Sequence, residues 1–189
     1  ENWAPNASEE PDNWSTINFG ANPTLSATKT TSSYSGTYAM RIESIETSWG
    51  DTMGLVTNGR IGNELEGGMR VYANPMKITG YYKYTPVGLD TALAAGVSFI
   101  NSVKVDSNFV NLIPTNTYTY FEVPMSYNNW PYIDTFNIAF SSGNIGDSTS
   151  YIGLGSVLYI DDVTVVYNPV GTPAEQTAPN HSVFPNPFS

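Results

Sequence analysis

The sequence predicts an all-β chain folded as an antiparallel β-sandwich, and three observations carry that expectation. Apolar and polar residues alternate with a period of two along most of the chain, turn-forming pairs punctuate the alternation, and no stretch carries a helical period. Only 13% of the residues are charged, while Tyr, Thr, Ser, Asn and Gly are abundant, a balance that suits twisted strands joined by polar turns.

Eight segments are predicted as strands: residues 24–30, 37–46, 52–58, 76–84, 91–100, 118–125, 133–140 and 157–167. In the second, Tyr38, Met40 and Ile42 share one face while Ala39, Arg41 and Glu43 share the other. In the sixth, Phe121, Val123 and Met125 oppose Tyr120, Glu122 and Pro124; in the seventh, Phe136, Ile138 and Phe140 oppose Asn137 and Ala139. Each strand therefore has one oily face, and such strands bury those faces best as two packed sheets. Ser35-Gly36, Asn58-Gly59, Gly67-Gly68, Pro86-Val87-Gly88 and Ser142-Gly143-Asn144 supply the turns between them.

The last strand breaks its own period. Leu158 and Ile160 face inward together, but strict alternation would then bury Asp162 and turn Val163 and Val165 to solvent. One extra residue at Asp161-Asp162 restores the apolar face, which is the signature of a β-bulge. Two adjacent carboxylates at a kink repel each other unless a cation or hydrogen bonds compensate, and hard oxygen ligands suit calcium.

From Asn168 onward the chain loses its strand character, with Pro169, Gly171, Pro173 and Pro179 unable to sustain a ladder. The expected organisation is a sandwich over 1–167, a linker over 168–181 and a separate terminal segment over 182–189. A chain of 189 residues suits one such core.

Charge and composition exclude several classes of function. Seven Lys and Arg against seventeen Asp and Glu give a net charge of −10, which disfavours nucleic acid and anionic membranes as partners. Cysteine is absent, and with it disulfides, thiolate metal sites and cysteine nucleophiles. No apolar run reaches the roughly 20 residues needed to cross a bilayer, so membrane insertion is not expected. The chain opens on Glu1-Asn2-Trp3 with no basic-then-apolar leader, and is read as a form from which an export signal has been trimmed. The only histidine, His181, lies in the terminal stretch, so no histidine-dependent chemistry is expected and no catalytic residue is assigned.

Two strings carry a resemblance. Tyr34-Ser35-Gly36-Thr37-Tyr38-Ala39-Met40-Arg41-Ile42, taken with Tyr159-Ile160-Asp161-Asp162-Val163, resembles the corresponding strands of jelly-roll carbohydrate-binding modules of the galactose-binding-domain-like type. The resemblance implies a jelly roll, a glycan ligand and a structural calcium that ties the first strand to the last. It places the calcium ligands at Glu1, at oxygens around Ser35 and Tyr38, and at Asp161. Residues 77–86, with Gly88 and Asp90, are similar to the carbohydrate-metabolism domain of proteins exported by Bacteroidetes. Val183-Phe184-Pro185-Asn186-Pro187-Phe188-Ser189 resembles the opening of the C-terminal sorting domain used by the type IX secretion system. That likeness implies the type IX machinery as a partner and a secreted or cell-surface location.

Sugars offer apolar C–H faces to flat rings and hydroxyls to amides and carboxylates. Trp49 and Trp130, both in loop-like sequence, and Tyr81 and Tyr120, both on strands, are the candidate carbohydrate contacts. Tyr82, Tyr84, Tyr118, Tyr127 and Tyr132 form a wider set. The expected protein is a monomeric, noncatalytic carbohydrate-binding or glycan-associated accessory module. Two alternatives stand beside it. A polysaccharide-active enzyme of jelly-roll fold would need charged groups converging in one groove. A cell-surface structural or adhesion module would show scattered aromatics and a sheet edge or apolar patch for a partner.

Overall fold

In the computed structural model, described over residues 11–18, 25–47, 50–127, 132–143 and 152–167, strands are joined by turns and paired antiparallel throughout. In chain order they are β1 (Ser15–Thr16), β2 (Ala27–Thr30), β3 (Ala39–Glu43), β4 (Ile45–Thr47) and β5 (Gly50–Thr52). Next come β6 (Leu55–Thr57), β7 (Arg60–Ile61), β8 (Leu65–Glu66), β9 (Met69–Arg70) and β10 (Pro75–Thr85). The longer strands follow: β11 (Ala92–Ile100), β12 (Val103–Leu112), β13 (Thr115–Pro124), β14 (Thr135–Ser141) and β15 (Val157–Tyr167). One sheet runs β1-β6-β14-β11-β12, with β9 also on β14, and the other runs β13-β10-β15-β3-β2.

The oily faces read from alternation meet between these sheets. Met40 and Ile42 of β3, Ile78 and Tyr84 of β10, and Leu158 and Ile160 of β15 pack against Val56, Phe136, Ile138 and Phe140 from the other sheet. Burying side chains of this size stabilises by about 1.5–3 kcal/mol each, which makes the interlayer the main source of stability. Trp14 closes one margin by packing on Phe140, ring centroids 5.9 Å apart. A polar tie spans the layers: Asn18 Nδ2 donates to the Ala27 carbonyl at 2.9 Å, and Asn18 Oδ1 accepts from the Ser26 and Ala27 amides at 2.9 and 3.0 Å.

Three sequence expectations change here. No strand was expected between Ile100 and Tyr118, yet β12 fills Val103–Leu112 and β13 starts at Thr115. The pattern hides β12 because Asn108 and Asp106 share its face with Leu112 and Val110, and because its register slips opposite Ser98 and Phe99. The single strand expected over 37–46 divides at Ser44, whose amide bonds the Ser156 carbonyl at 3.0 Å and whose hydroxyl lies 2.9 Å from that of Ser142. Asn137 and Ala139 were expected on an open face but are fully buried. Beside them, the backbone flanking the β7–β8 hairpin accepts a hydrogen bond from Asn137 Nδ2 at the Gly67 carbonyl, 3.2 Å, while Thr57 donates to Asn137 Oδ1 at 2.6 Å.

The bulge read from the last strand is present. Tyr81 pairs with Asp161 but Thr79 pairs with Thr164, so two steps along β10 face three along β15. Asp162 takes up the extra length with φ of +50°, and Ile160 and Val165 both stay in the core.

Candidate functional site

The outward face of the five-stranded sheet gathers the aromatic residues that alternation keeps out of the core. Ile78, Tyr82 and Tyr84 of β10 are buried, so Lys77, Thr79, Tyr81 and Lys83 point the other way. Register then sets Tyr120, Tyr81 and Asp161 side by side across β13, β10 and β15. One step along, Lys83, Tyr159 and Arg41 form the neighbouring row.

The loop between β2 and β3 folds down onto this face. Its anchor is Asp161, fully buried, whose Oδ2 accepts the backbone amides of Tyr34 at 2.6 Å and Ser35 at 3.1 Å. Asp161 Oδ1 accepts the Asp162 amide at 2.8 Å, and the Ser35 hydroxyl donates to the Asp162 carboxylate at 2.8 Å. Further along, Ser32 receives Lys83 Nζ on its hydroxyl at 2.7 Å and the Tyr118 hydroxyl on its carbonyl at 2.5 Å. Gly36, at φ of +63°, lets the loop turn back into β3.

These anchors lay the Tyr34 ring on Tyr81, centroids 3.6 Å apart and planes within 11°. Tyr118 meets Tyr34 edge-on at 5.9 Å, and Tyr120 meets Tyr81 edge-on at 5.7 Å. Tyr34 keeps 47% of its surface exposed and Tyr120 48%, so two rings, each in contact with Tyr81, face solvent. Contact with the Tyr81 hydroxyl pushes the Tyr34 phenol above its ordinary range. Burial does the same to Tyr118, helped by the charge of Asp161.

Charged groups border the rings. Glu122 Oε1 accepts from Lys77 Nζ at 2.5 Å and from the Tyr120 hydroxyl at 2.6 Å. Those two donors, Lys77 first, hold the Glu122 carboxyl below the usual carboxylate range. Lys83 sits between the rings of Tyr118 and Tyr159, 4.7 and 4.5 Å from their centroids. Arg41 pairs with Glu43 at 2.7 Å. The face thus offers ring surfaces flanked by carboxylates and phenols, the groups that take the C–H faces and hydroxyls of a sugar.

Of the residues singled out from sequence, Tyr81 and Tyr120 are brought together, and so are Ser35 and Asp161. Tyr38 lies just before β3, with Lys29 over its ring at 4.5 Å. Glu1, Trp49 and Trp130 lie outside the described residues, as do the segments 168–181 and 182–189. Tyr82 and Tyr84 are corrected: they fill the core, and the Tyr84 hydroxyl donates to the Ser142 carbonyl at 3.0 Å. Sequence reasoning missed Tyr34, read only as part of a strand signature, together with Tyr159 and Lys83. The available signal was the alternation of β10 and β15, which places Lys83 and Tyr159 on the face of Tyr81.

The same residues bear on the implied calcium. Asp161 and Asp162 put two hard carboxylates at one bulge, which is donor chemistry that calcium accepts. Calcium takes about 6–8 oxygens, however, and among the described residues no three acidic or histidine side chains come together to hold a metal. The described residues close the loop onto β15 with N–H and O–H donors.

Neither a protein-family profile nor a curated protein matches the chain. Solved structures do. A candidate glycoside hydrolase from Bacteroides thetaiotaomicron superposes with a TM-score of 0.68 at 18% identity, over 86% of this chain and 63% of that one. A second candidate glycoside hydrolase, from Bacteroides vulgatus, gives 0.65 at 18% identity, over 82% of this chain and 85% of that one. The carbohydrate-binding module TmCBM61, solved with β-1,4-galactotriose, gives 0.51 at 14% identity, over 88% of this chain and 99% of that one. The fold is a jelly-roll β-sandwich. The chain spans under two thirds of the first of these structures, and at such identities the likeness establishes architecture alone.

Proposed function

We propose that this chain is a noncatalytic glycan-binding module whose binding surface is the tyrosine face of the five-stranded sheet. The observation that carries the reading is the pair of half-exposed rings, Tyr34 supported from beneath by Tyr81, and Tyr120 set edge-on beside Tyr81. Rings fixed in advance lose little freedom when a sugar stacks on them, so each contact contributes more of its energy to affinity. The Glu122 carboxylate and the tyrosine hydroxyls at the border take hydrogen bonds from sugar hydroxyls. A jelly-roll module of similar architecture has been solved with β-1,4-galactotriose, which supports a neutral oligosaccharide as the first ligand to try.

A structural calcium belongs to the same proposal. Asp161 would hold it with Glu1 and oxygens around Ser35 and Tyr38, and the ion would supply a cross-link between the start of the chain and β15. Saturating calcium should then raise the melting temperature by preferential binding to the folded state, and Asp161→Ala should abolish the rise. A melting temperature that chelation leaves unchanged counts against the ion. Export through the type IX machinery to the cell surface or beyond is proposed on the resemblance of residues 183–189 alone.

The functional test is a glycan-array screen of the wild type that includes β-1,4-galactotriose, cello-oligosaccharides and xylo-oligosaccharides, repeated with Tyr120→Ala. Binding that weakens in the variant supports the reading. Absence of binding at millimolar sugar favours an adhesion role, and cleavage of a bound sugar favours an enzyme.

A further inference from the structure

We propose that Asp161 is a positioning residue for glycan binding, acting through Tyr34. This inference rests on the glycan-binding reading above and assigns a role to the buried acid within that site. Asp161 does not meet solvent and cannot itself touch a sugar. Its carboxylate instead grips the backbone on both sides of the peptide that carries the stacking ring, taking the Tyr34 amide at 2.6 Å and the Ser35 amide at 3.1 Å on one oxygen.

The geometry gives the grip a direction. Tyr81, which supports Tyr34 from beneath, is the ladder partner of Asp161, so acid and supporting ring occupy the same row of the sheet. The acid fixes the loop backbone over that row, and from there the Tyr34 ring lies flat on Tyr81 at 3.6 Å. The bulge completes the device. Asp162 turns through φ of +50° and receives the Ser35 hydroxyl, so the two acids hold one dipeptide by separate bonds. Anionic acceptors make hydrogen bonds about twice as strong as neutral ones, which suits a short loop that must hold a ring against solvent.

Asp161→Asn tests the assignment, because it keeps the side-chain shape while removing the charge and turning one oxygen into a donor. Every arm is run in EDTA so that loss of a cation is not the variable. By NMR, the Tyr34 ring protons of the wild type should be shifted upfield by the Tyr81 ring. In Asp161→Asn that shift should collapse while the amide spectrum stays dispersed. Titration with β-1,4-galactotriose and cellotetraose should show affinity about tenfold weaker, as for Tyr34→Ala. In the Tyr34→Ala background Asp161→Asn should cost no further affinity.

A ring shift that survives in Asp161→Asn, or losses that add in the double variant, would overturn the assignment. Should Asp161→Asn fail to fold, Ser35→Pro removes one gripping amide and the hydroxyl bond to Asp162 while every residue of β15 stays as it is, and a retained ring shift there overturns it equally. If the wild type binds neither sugar but the shift behaves as expected, the positioning of Tyr34 stands and the glycan reading fails.

Discussion

Gly80 pairs with Phe121 across the β10–β13 ladder, and a Cβ on Gly80 would stand 2.8 Å from the Phe121 ring and 3.1 Å from the Asp161 carbonyl. The missing side chain lets Phe121 reach Tyr82 and Phe140, each edge-on near 6 Å, beneath the bulge that carries the acidic pair. Gly80→Ala forces a methyl group into that contact and should destabilise the fold by about 1–3 kcal/mol. Urea unfolding checks it, and an unchanged midpoint would mean that the ring and bulge yield freely.

Asn18 gives a second stability prediction. Its side chain satisfies two backbone amides and one carbonyl around Ala27 in a buried setting. Asn18→Ala leaves these groups without that partner, a loss of about 3 kcal/mol. Asn18→Asp keeps an acceptor for the two amides but buries a carboxylate and sets one of its oxygens against the Ala27 carbonyl, so it should cost at least as much. Melting temperatures of both variants should therefore fall below that of the wild type, and an unchanged value for either would contradict the tie.

Acid should act through the β11–β12 turn. Asn101 and Ser102 both have positive φ, +50° and +65°, as a two-residue hairpin turn of matching twist requires. Asp134 holds the turn from outside, accepting the Asn101 amide at 2.7 Å and the Thr135 hydroxyl at 2.8 Å, and these bonds keep its carboxyl below the usual range. A carboxyl depressed in the folded state stabilises fully above its unfolded pKa, and the contribution disappears as pH falls through the folded value. Wild type should melt above Asp134→Asn near neutral pH, and the gap should close on acidification below about 4. A gap independent of pH would assign the effect to packing.

How much of this was legible in sequence depends on how far apart the contributing residues lie. The bulge at Asp161-Asp162 was visible because a local period breaks, and Tyr81 and Tyr120 were visible because alternation assigns them a face. Tyr34 was not, since its place depends on a hydrogen bond from its backbone amide to a carboxylate 127 positions away, which no periodicity records. β12 was hidden for a different reason: its register shift and mixed inner face remove the regular pattern that marks the other long strands. Asn137 looked solvent-facing because nothing local reveals that backbone beyond Leu65–Glu66 would come to lie beside it.

The tyrosine face as a sugar platform is tested most directly by isothermal titration of the best array ligand against wild type, Tyr34→Ala and Tyr72→Ala. Tyr72 is 91% exposed but belongs to the turn between β9 and β10, so it serves as the control. The platform predicts affinity about tenfold weaker or worse for Tyr34→Ala and unchanged for Tyr72→Ala, with both variants folded. Equal affinity for Tyr34→Ala and wild type would contradict it.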